Sequence, residues 1–365
     1  MRIGIDCRLA GLQHAGIGRY TAQLVLHLIR SRSNVEWVLF CQSREQADEF
    51  IGKSPVANVR VVLAKVSHYS IAEQLYLPWI FYREQLDLLH VPHFNVPLLY
   101  LKPFVVTIHD LLWHHYRGQS VTTLQPWLYW WKYLGYRLVA SASVLRAKQI
   151  FVPSQEIKQT LSKYYPSVAK KCTITYEGVE LEPANNPKRA LPKKYLLFVG
   201  SLYPHKNIAV VLKALQKLPS LSLLLVGSRS VFSQQVHDLV QTLGLGEQVS
   251  FFGRATETEL HYLYQQATAL VQPSVSEGFG LTGIEAMAAG TPVIASDIPV
   301  FHEIYQDAAV FCQPHNPEDF VSAIKNLPRK RDKLIASGTA LAKKYSWKQM
   351  SSQTLAAYQA VLATA

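Results

Sequence analysis

The chain has 365 residues, of which 49% are hydrophobic and 17% charged; this excludes a disordered chain and exceeds what one hydrophobic core usually holds, so two domains are expected. Its four cysteines, Cys7, Cys41, Cys172 and Cys312, form no Cys-x-x-Cys pair, which argues against a zinc site or a disulfide framework and for a reducing, cytoplasmic setting. The net charge of +12 lies mostly in the first half and suits a phosphorylated substrate or an anionic membrane surface; without a zinc-finger, RNA-recognition or helix-turn-helix pattern, nucleic acid is not expected.

Arg2-Ile3-Gly4-Ile5-Asp6 reads as a strand and not as a signal peptide. A turn region containing Gly11, Gly16 and Gly18 follows, then Tyr20–Ile29 with apolar residues at helical spacing, the first unit of a parallel sheet. Gly11 and Gly16 have phosphate-loop spacing, but Ile17 stands where that loop needs lysine, and Gly16-Ile17-Gly18 lacks the third glycine of the dinucleotide fingerprint. Further strands are expected at Val35–Phe40, Val59–Leu63 and Leu86–Pro92. The β-branched run Phe104–Leu111 places His109, with Asp110 beside it, at the C-terminal end of a strand, where ligands sit in open α/β sheets. Trp127, Trp130, Trp131, Leu134 and Leu138 recur at helical spacing with Lys132 and Arg137 interleaved, a face that either packs on the sheet or lies in a membrane interface. Gln149–Ser154 and Cys172–Glu180 read as the last strands of the first domain, and the linker-like Leu181–Arg189 sets a boundary between 1–186 and 187–345.

The second domain opens with the buried strand Tyr195–Val199, which runs into a loop carrying Gly200, Ser201 and Lys206. Just ahead of a helix start, Lys206 can set a point charge against a diphosphate. After strands at Gln248–Arg254 and Ala269–Gln272 comes a glycine loop, a helix from about Leu281, a stop at Gly290 and a strand at Pro292–Ala295. The loop brings backbone N–H groups and the positive end of a helix dipole to one spot, an anion site that Gly278 and Gly280 let a bulky ligand approach. Glu277 and Glu285 frame it; a phosphate would repel them, so they are expected to accept hydrogen bonds from neutral hydroxyls such as those of a sugar. Ser346 through Leu362 reads as a closing amphipathic helix.

The segment Pro273-Ser274-Val275-Ser276-Glu277-Gly278-Phe279-Gly280-Leu281 and the run from Glu285 to Ser296 resemble the paired-glutamate signature of the retaining, nucleotide-sugar-dependent glycosyltransferases of family 4, in the mannosyltransferase-like sub-group. Ala15-Gly16-Ile17-Gly18-Arg19-Tyr20 and Thr107-Ile108-His109-Asp110 match further segments, and the resemblance covers essentially the whole chain. It implies an α/β fold of GT-B type, two Rossmann-like domains with parallel sheets facing a central cleft. Residues 1–186 would bind acceptor, 187–345 would bind donor, and the helix at about 346–365 would pack back on the first domain. It implies catalytic roles for His109, Glu277 and Lys206, with Asp110 and Arg19 on the acceptor side. Donor contacts would come from Gly16, Gly18, Gly200, Ser201, Lys206, Arg254, Glu277, Gly278, Phe279, Gly280, Leu281 and Glu285. Within that set Glu277 would touch the transferred sugar, Glu285 the ribose and Lys206 the leaving phosphate. Ser201 stands where the family usually has arginine, offering a hydrogen bond without a charge, and Arg254 lies where the family meets the base through its backbone.

The implied reaction is transfer of a hexose from a nucleotide-diphosphate sugar, GDP-mannose first, to a glycan or lipid-linked glycan with retention of configuration. No cofactor and no metal are expected, since no Asp-x-Asp motif occurs. A nucleotide-sugar epimerase or phosphorylase of the same fold, or a non-catalytic nucleotide-sugar-binding protein, remains an alternative. Family relatives with lipid-linked acceptors attach peripherally through the N-terminal domain, which lends the membrane reading support.

Overall fold

The computed structural model describes every residue except 12–14, 32–33, 116–124, 228–230 and 365. Two compact units result: Met1–Leu111, Gln125–Gly178 and Trp347–Ala365 make the first, and Leu112–Leu124 with Val179–Ser346 make the second. The change of unit falls at Gly178 and Val179, earlier than the expected break after residue 186. The Val179 N–H donates to the Tyr345 carbonyl (3.3 Å) and the Asn185 N–H to the Thr258 carbonyl (3.0 Å). A stretch with the composition of a linker is therefore already fastened to the second unit.

In chain order, residues 1–178 give β1 (Arg2–Asp6), α1 (Ala15–Ile29), β2 (Glu36–Cys41), α2 (Arg44–Ile51), β3 (Val59–Leu63), α3 (Ile71–Arg83), β4 (Leu88–Val91), β5 (Phe104–Thr107), α4 (Leu112–His115), α5 (Pro126–Arg146), β6 (Gln149–Val152), α6 (Gln155–Tyr164) and β7 (Cys172–Ile174). The seven strands form one parallel sheet in the order β3-β2-β1-β4-β5-β6-β7. Its inner strands are almost wholly apolar and buried, as a sheet covered on both faces requires. Ser43, Ser70 and Ser154 each end a loop as the N-cap of the next helix, their side chains accepting a backbone N–H.

Two local departures from the sequence reading bear on function. Helix α1 begins at Ala15, so Gly16 and Gly18, expected in a turn, occupy its first turns. The Gly11 N–H donates to the Gly18 carbonyl (3.1 Å), and a Cβ on Gly18 would strike the Gly11 and Leu9 carbonyl oxygens. Strand β7 stops at Ile174, not at Glu180; the Thr175 N–H makes a last bond to Val152 (2.9 Å), and Tyr176–Gly178 continue as loop.

The second unit gives β8 (Tyr195–Val199), α7 (Ile208–Leu215), β9 (Ser222–Val226), α8 (Ser233–Thr242), β10 (Val249–Gly253), α9 (Glu257–Gln266), β11 (Ala269–Gln272), α10 (Leu281–Ala288), β12 (Val293–Ser296), α11 (Pro299–Tyr305), β13 (Ala309–Cys312) and α12 (Pro317–Ala342). These strands form a parallel sheet in the order β10-β9-β8-β11-β12-β13. Side chains alternate across it: Leu197, Leu224 and Leu270 enter a core with Met287 and Phe301, whereas Leu196, Leu225 and Val271 enter one with Val211 and Phe320. The closing helix α13 (Trp347–Ala363) belongs to the first unit, with Trp347 and Tyr358 buried there.

Each sheet reverses its strand order once, between β1 and β4 in the first unit and between β8 and β11 in the second. Ligands of open α/β sheets bind outside the carboxyl ends of strands at such points.

Candidate active site

In the second unit the loops after β8 and β11 meet at the reversal point. Asn207 adopts a left-handed conformation (φ 53°) before α7, and its side-chain amide donates to the Pro273 (3.1 Å) and Pro314 (2.6 Å) carbonyls. The Val275 N–H donates to the His205 carbonyl (2.8 Å), so the two loops are stitched together. That stitching brings Lys206 Nζ to 2.6 Å from Glu277 Oε1, which also accepts from Ser274 Oγ at 2.8 Å. Burial would raise the Glu277 carboxyl, but the Lys206 ammonium, assisted by His205 and Ser274, outweighs it and holds the group below its ordinary range. Glu277 is therefore an ionised acceptor whose cation lies beside it.

The glycines next to this pair serve packing as much as access. Gly280 has φ 94° at the N-terminal end of α10, and a Cβ there or on Gly283 would run into the Tyr305 hydroxyl. That hydroxyl lies 2.6 Å from the Gly280 carbonyl and 2.5 Å from the Gln272 side-chain oxygen, fixing the loop against the sheet. Burial, then the nearby Glu277 charge, push the Tyr305 phenol well above its ordinary value, so it stays a donor. With Gly278 half-buried and Leu281 starting α10, backbone N–H groups gather at a helix N-terminus suited to a phosphate. The Phe279 side chain, in contrast, is buried in the core edge-on to Tyr345 at 5.4 Å, so only its backbone is left for a ligand. Glu285, one turn into α10, is buried and accepts the Tyr264 hydroxyl at 2.8 Å.

Gly200 and Ser201 follow β8 directly, and the Gly200 N–H donates to the Val226 carbonyl (2.9 Å). A Cβ on Gly227 would collide with the Gly200 carbonyl, so that loop also lies close to its neighbour. Arg254 is exposed after β10, an edge strand that β9 separates from β8. Arg254 is thus not gathered with Lys206 and Glu277.

In the first unit His109 follows β5, its side chain nine-tenths buried, with Nδ1 3.4 Å from Glu177 Oε1. Tyr20 of α1 stands edge-on to the imidazole at 4.6 Å. The Tyr20 hydroxyl lies 3.1 Å from Thr107 Oγ1, which lies 2.9 Å from His90 Nε2, while His90 Nδ1 is 2.5 Å from the Tyr358 hydroxyl of α13. Burial, then the nearby His109, push His90 down to about 3, so this chain of contacts is neutral. Arg19 is half-buried in α1, Gly16 exposed and Asp110 exposed beside His109.

Glu177 was not among the residues expected at the site, nor was the group around Arg8. Arg8, 1% exposed, donates to both Asp6 oxygens (2.9 and 2.7 Å) and to Glu73 Oε1 (2.7 Å) at the β1–β4 reversal. Together with His68, His93 and Asn95 these side chains line a small cavity there. The available signal was a charged pair, Asp6 and Arg8, at the end of an apolar strand; for Glu177 it was a lone carboxylate after the last strand of the unit.

Among the described residues no group of three or more His, Cys, Asp or Glu side chains could hold a metal ion, and no helix is long and apolar enough to cross a membrane.

Comparison with known proteins matches residues 182–339 to the family described as glycosyl transferases group 1, and residues 14–183 to glycosyltransferase family 4. Among curated relatives, the O-antigen chain mannosyltransferase RfbU of Salmonella typhimurium is 33% identical over 241 residues, 66% of this chain and 64% of that protein. The O-antigen chain mannosyltransferase B of Escherichia coli is 34% identical over 174 residues, 45% of each chain. The match thus spans just under two thirds of the first relative and less than half of the second. Among solved structures, a sucrose-phosphate synthase from Thermosynechococcus elongatus superposes with a TM-score of 0.77 at 18% identity, over all of both chains. The Anabaena protein HepE, solved with UDP and glucose, gives 0.76 at 16% identity over 99% of this chain and 100% of its own. The two-unit GT-B fold is shared with both.

Proposed function

Residues 14–183 belong to glycosyltransferase family 4 and residues 182–339 to the glycosyl transferases group 1, and from that premise we propose a retaining transferase that moves mannose from GDP-mannose to a glycan or lipid-linked glycan. The observation that carries the reading is the Lys206–Glu277 pair at 2.6 Å beside the N-terminus of α10. An ammonium, a helix N-terminus and glycine amides answer a leaving diphosphate, and an ionised carboxylate answers a sugar hydroxyl. As the glycosidic bond to phosphate breaks, negative charge grows on the diphosphate, and Lys206 and the amides from Gly278 to Leu281 stabilise it where it appears. In the second unit Glu285 holds the ribose hydroxyls and Glu277 orients the sugar; in the first unit His109 is the group suited to orient a hydroxyl. Mannose is favoured by the likeness to two O-antigen mannosyltransferases. With charge neutralisation assigned to Lys206 and backbone amides, transfer proceeds without a divalent ion and persists in a chelator.

A thermal-shift screen against GDP, UDP and ADP sugars tests the donor, since a ligand that binds only the folded state raises Tm. Product analysis with labelled donor and a lipid-linked glycan then tests transfer and its stereochemistry. A rise in Tm with GDP-mannose and an α-linked labelled product are expected. No rise in Tm with GDP-mannose where another nucleotide sugar gives one, or conversion of donor with no acceptor present, counts against the proposal.

The acceptor's lipid is favoured by the surface of the first unit. Trp127, Trp131, Leu134 and Leu138 on α5 are each more than half exposed, so that face does not pack on the sheet. Helix α5 carries Lys132, Arg137 and Arg146 and no acidic residue, which suits an anionic lipid surface. Sedimentation with vesicles rich in phosphatidylglycerol should carry the protein down, and the double change Trp127→Ser, Trp131→Ser should leave it in solution.

A further inference from the structure

We infer that Glu177 is a positioning residue for His109: it takes the proton side of the imidazole at Nδ1, so that Nε2 faces the site as a hydrogen-bond acceptor for a substrate sugar hydroxyl. The inference rests on the transferase reading and adds to it a residue that reading does not use.

Three observations carry it. His109 Nε2 is buried and has no hydrogen-bond partner among the described residues, although the ring's other nitrogen faces Glu177. A buried polar atom left unmatched on a ring whose other nitrogen is engaged is a place where a ligand atom fits. Second, Glu177 is 5% exposed, and among the described residues its ion pair is with His109, not with a lysine or arginine. Keeping a carboxylate dry beside one imidazole costs free energy that packing alone does not explain. Third, the ring cannot readily swing to present its nitrogens the other way. Tyr20 closes one side edge-on at 4.6 Å, and its hydroxyl is anchored through Thr107 to His90 and Tyr358.

The chemistry follows from the two nitrogens. An ionised carboxylate only accepts hydrogen bonds, so it favours the tautomer with the proton on Nδ1 and leaves the lone pair on Nε2. At 3.4 Å the pairing is looser than a short hydrogen bond, and such contacts commonly tighten when substrate fills the site. No proton leaves the pair in this role; Nε2 accepts from a hydroxyl and aligns it.

The test uses the full chain labelled with 15N-histidine, reading the imidazole nitrogens by NMR, with His109 identified as the spin system missing from His109→Gln. Wild type should show the Nδ1-protonated neutral ring. Glu177→Gln, which can turn its amide N–H to Nδ1, should shift it toward the Nε2-protonated form. It should also lower kcat at least tenfold while the KM for donor stays within twofold. Glu177→Asp, which keeps a carboxylate, should retain the wild-type signature and recover part of kcat. An Nε2-protonated or doubly protonated ring in wild type, or an unchanged tautomer and kcat in Glu177→Gln, overturns the inference. If no donor supports transfer at all, the transferase reading fails, whereas the NMR comparison still decides what Glu177 does to the ring.

Discussion

The two reversal points differ in their electrostatics. In the second unit the functional charges neutralise each other, Lys206 against Glu277, with Ser274 adding a hydrogen bond. In the first unit His109 lies between Glu177 and a relay of neutral groups from Tyr20 to Tyr358, and among the described residues its buried Nε2 has no hydrogen-bond partner. If the second site takes a charged leaving group, as proposed, it does well to hold its cation in an exchangeable pair. A site awaiting a neutral hydroxyl gains more from a fixed orientation, because a single hydrogen bond is worth little unless it is aimed.

The sharpest way to break this contrast is Lys206→Ala. If Lys206 is released to the leaving diphosphate, its loss should lower kcat by about 10²–10³-fold, the range for deleting one preorganised electrostatic group. Thermal unfolding run alongside separates lost chemistry from a fold destabilised by the partly buried Glu277 left without its cation. A fall of less than tenfold, with the fold intact, means the stored cation is not what the diphosphate takes.

Acid should separate the two units next. His90 is fully buried and pushed down to about 3, by burial first and His109 second, whereas an unfolded histidine titrates near 6.5. Between those values the unfolded chain binds a proton that the folded one does not. Its contribution is thus complete above about pH 6.5 and shrinks by up to roughly 1.4 kcal/mol for each pH unit below that. Glu277 behaves differently: its depressed carboxyl contributes above the ordinary value near 4.3 and loses that contribution only at lower pH. Hydrogen exchange corrected for intrinsic rates should therefore show β4 and β5 losing protection between pH 6 and 5 while β8 and β11 keep theirs. Equal loss in both units would remove the distinction.

The same contrast explains how much could be read without coordinates. The second unit's site is local in the chain: a glycine loop, a helix start and Glu277 fall within about a dozen residues, and the periodicity of the following helix is plain. The GT-B fold was legible there and in the order of strands. The first unit's site is assembled over distance, since Arg8 meets Glu73 across 65 positions and His109 meets Glu177 only because β7 ends at Ile174. A short buried strand end carries no signal in composition. Phe279 shows the converse case, a motif residue whose side chain serves the core and leaves its backbone for a ligand. For α5 the spacing of its tryptophans revealed a stripe, but whether anything covers a stripe is a tertiary fact, and exposure alone decided it.

The smallest expected effect tests the second unit most finely. Glu285 sits within the core side of α10, 3% exposed, and its Oε2 accepts the Tyr264 hydroxyl. Replacing it by alanine would mix two losses, the ribose contact and the stranded phenol. Glu285→Gln avoids this, because its amide oxygen can still take the Tyr264 hydroxyl while its NH2 cannot accept a hydrogen bond from a ribose hydroxyl. Losing a hydrogen bond to a charged group costs about 1.5–3 kcal/mol, so donor affinity measured by calorimetry should fall at least tenfold with Tm nearly unchanged. Mannose itself lies on the Glu277 side of the diphosphate in this reading, so free GDP should weaken as much as GDP-mannose. Equal weakening sharpens the assignment of ribose to Glu285. If GDP-mannose weakens while GDP does not, Glu285 reads the sugar, and the order of contacts along the second unit's loop must be reversed.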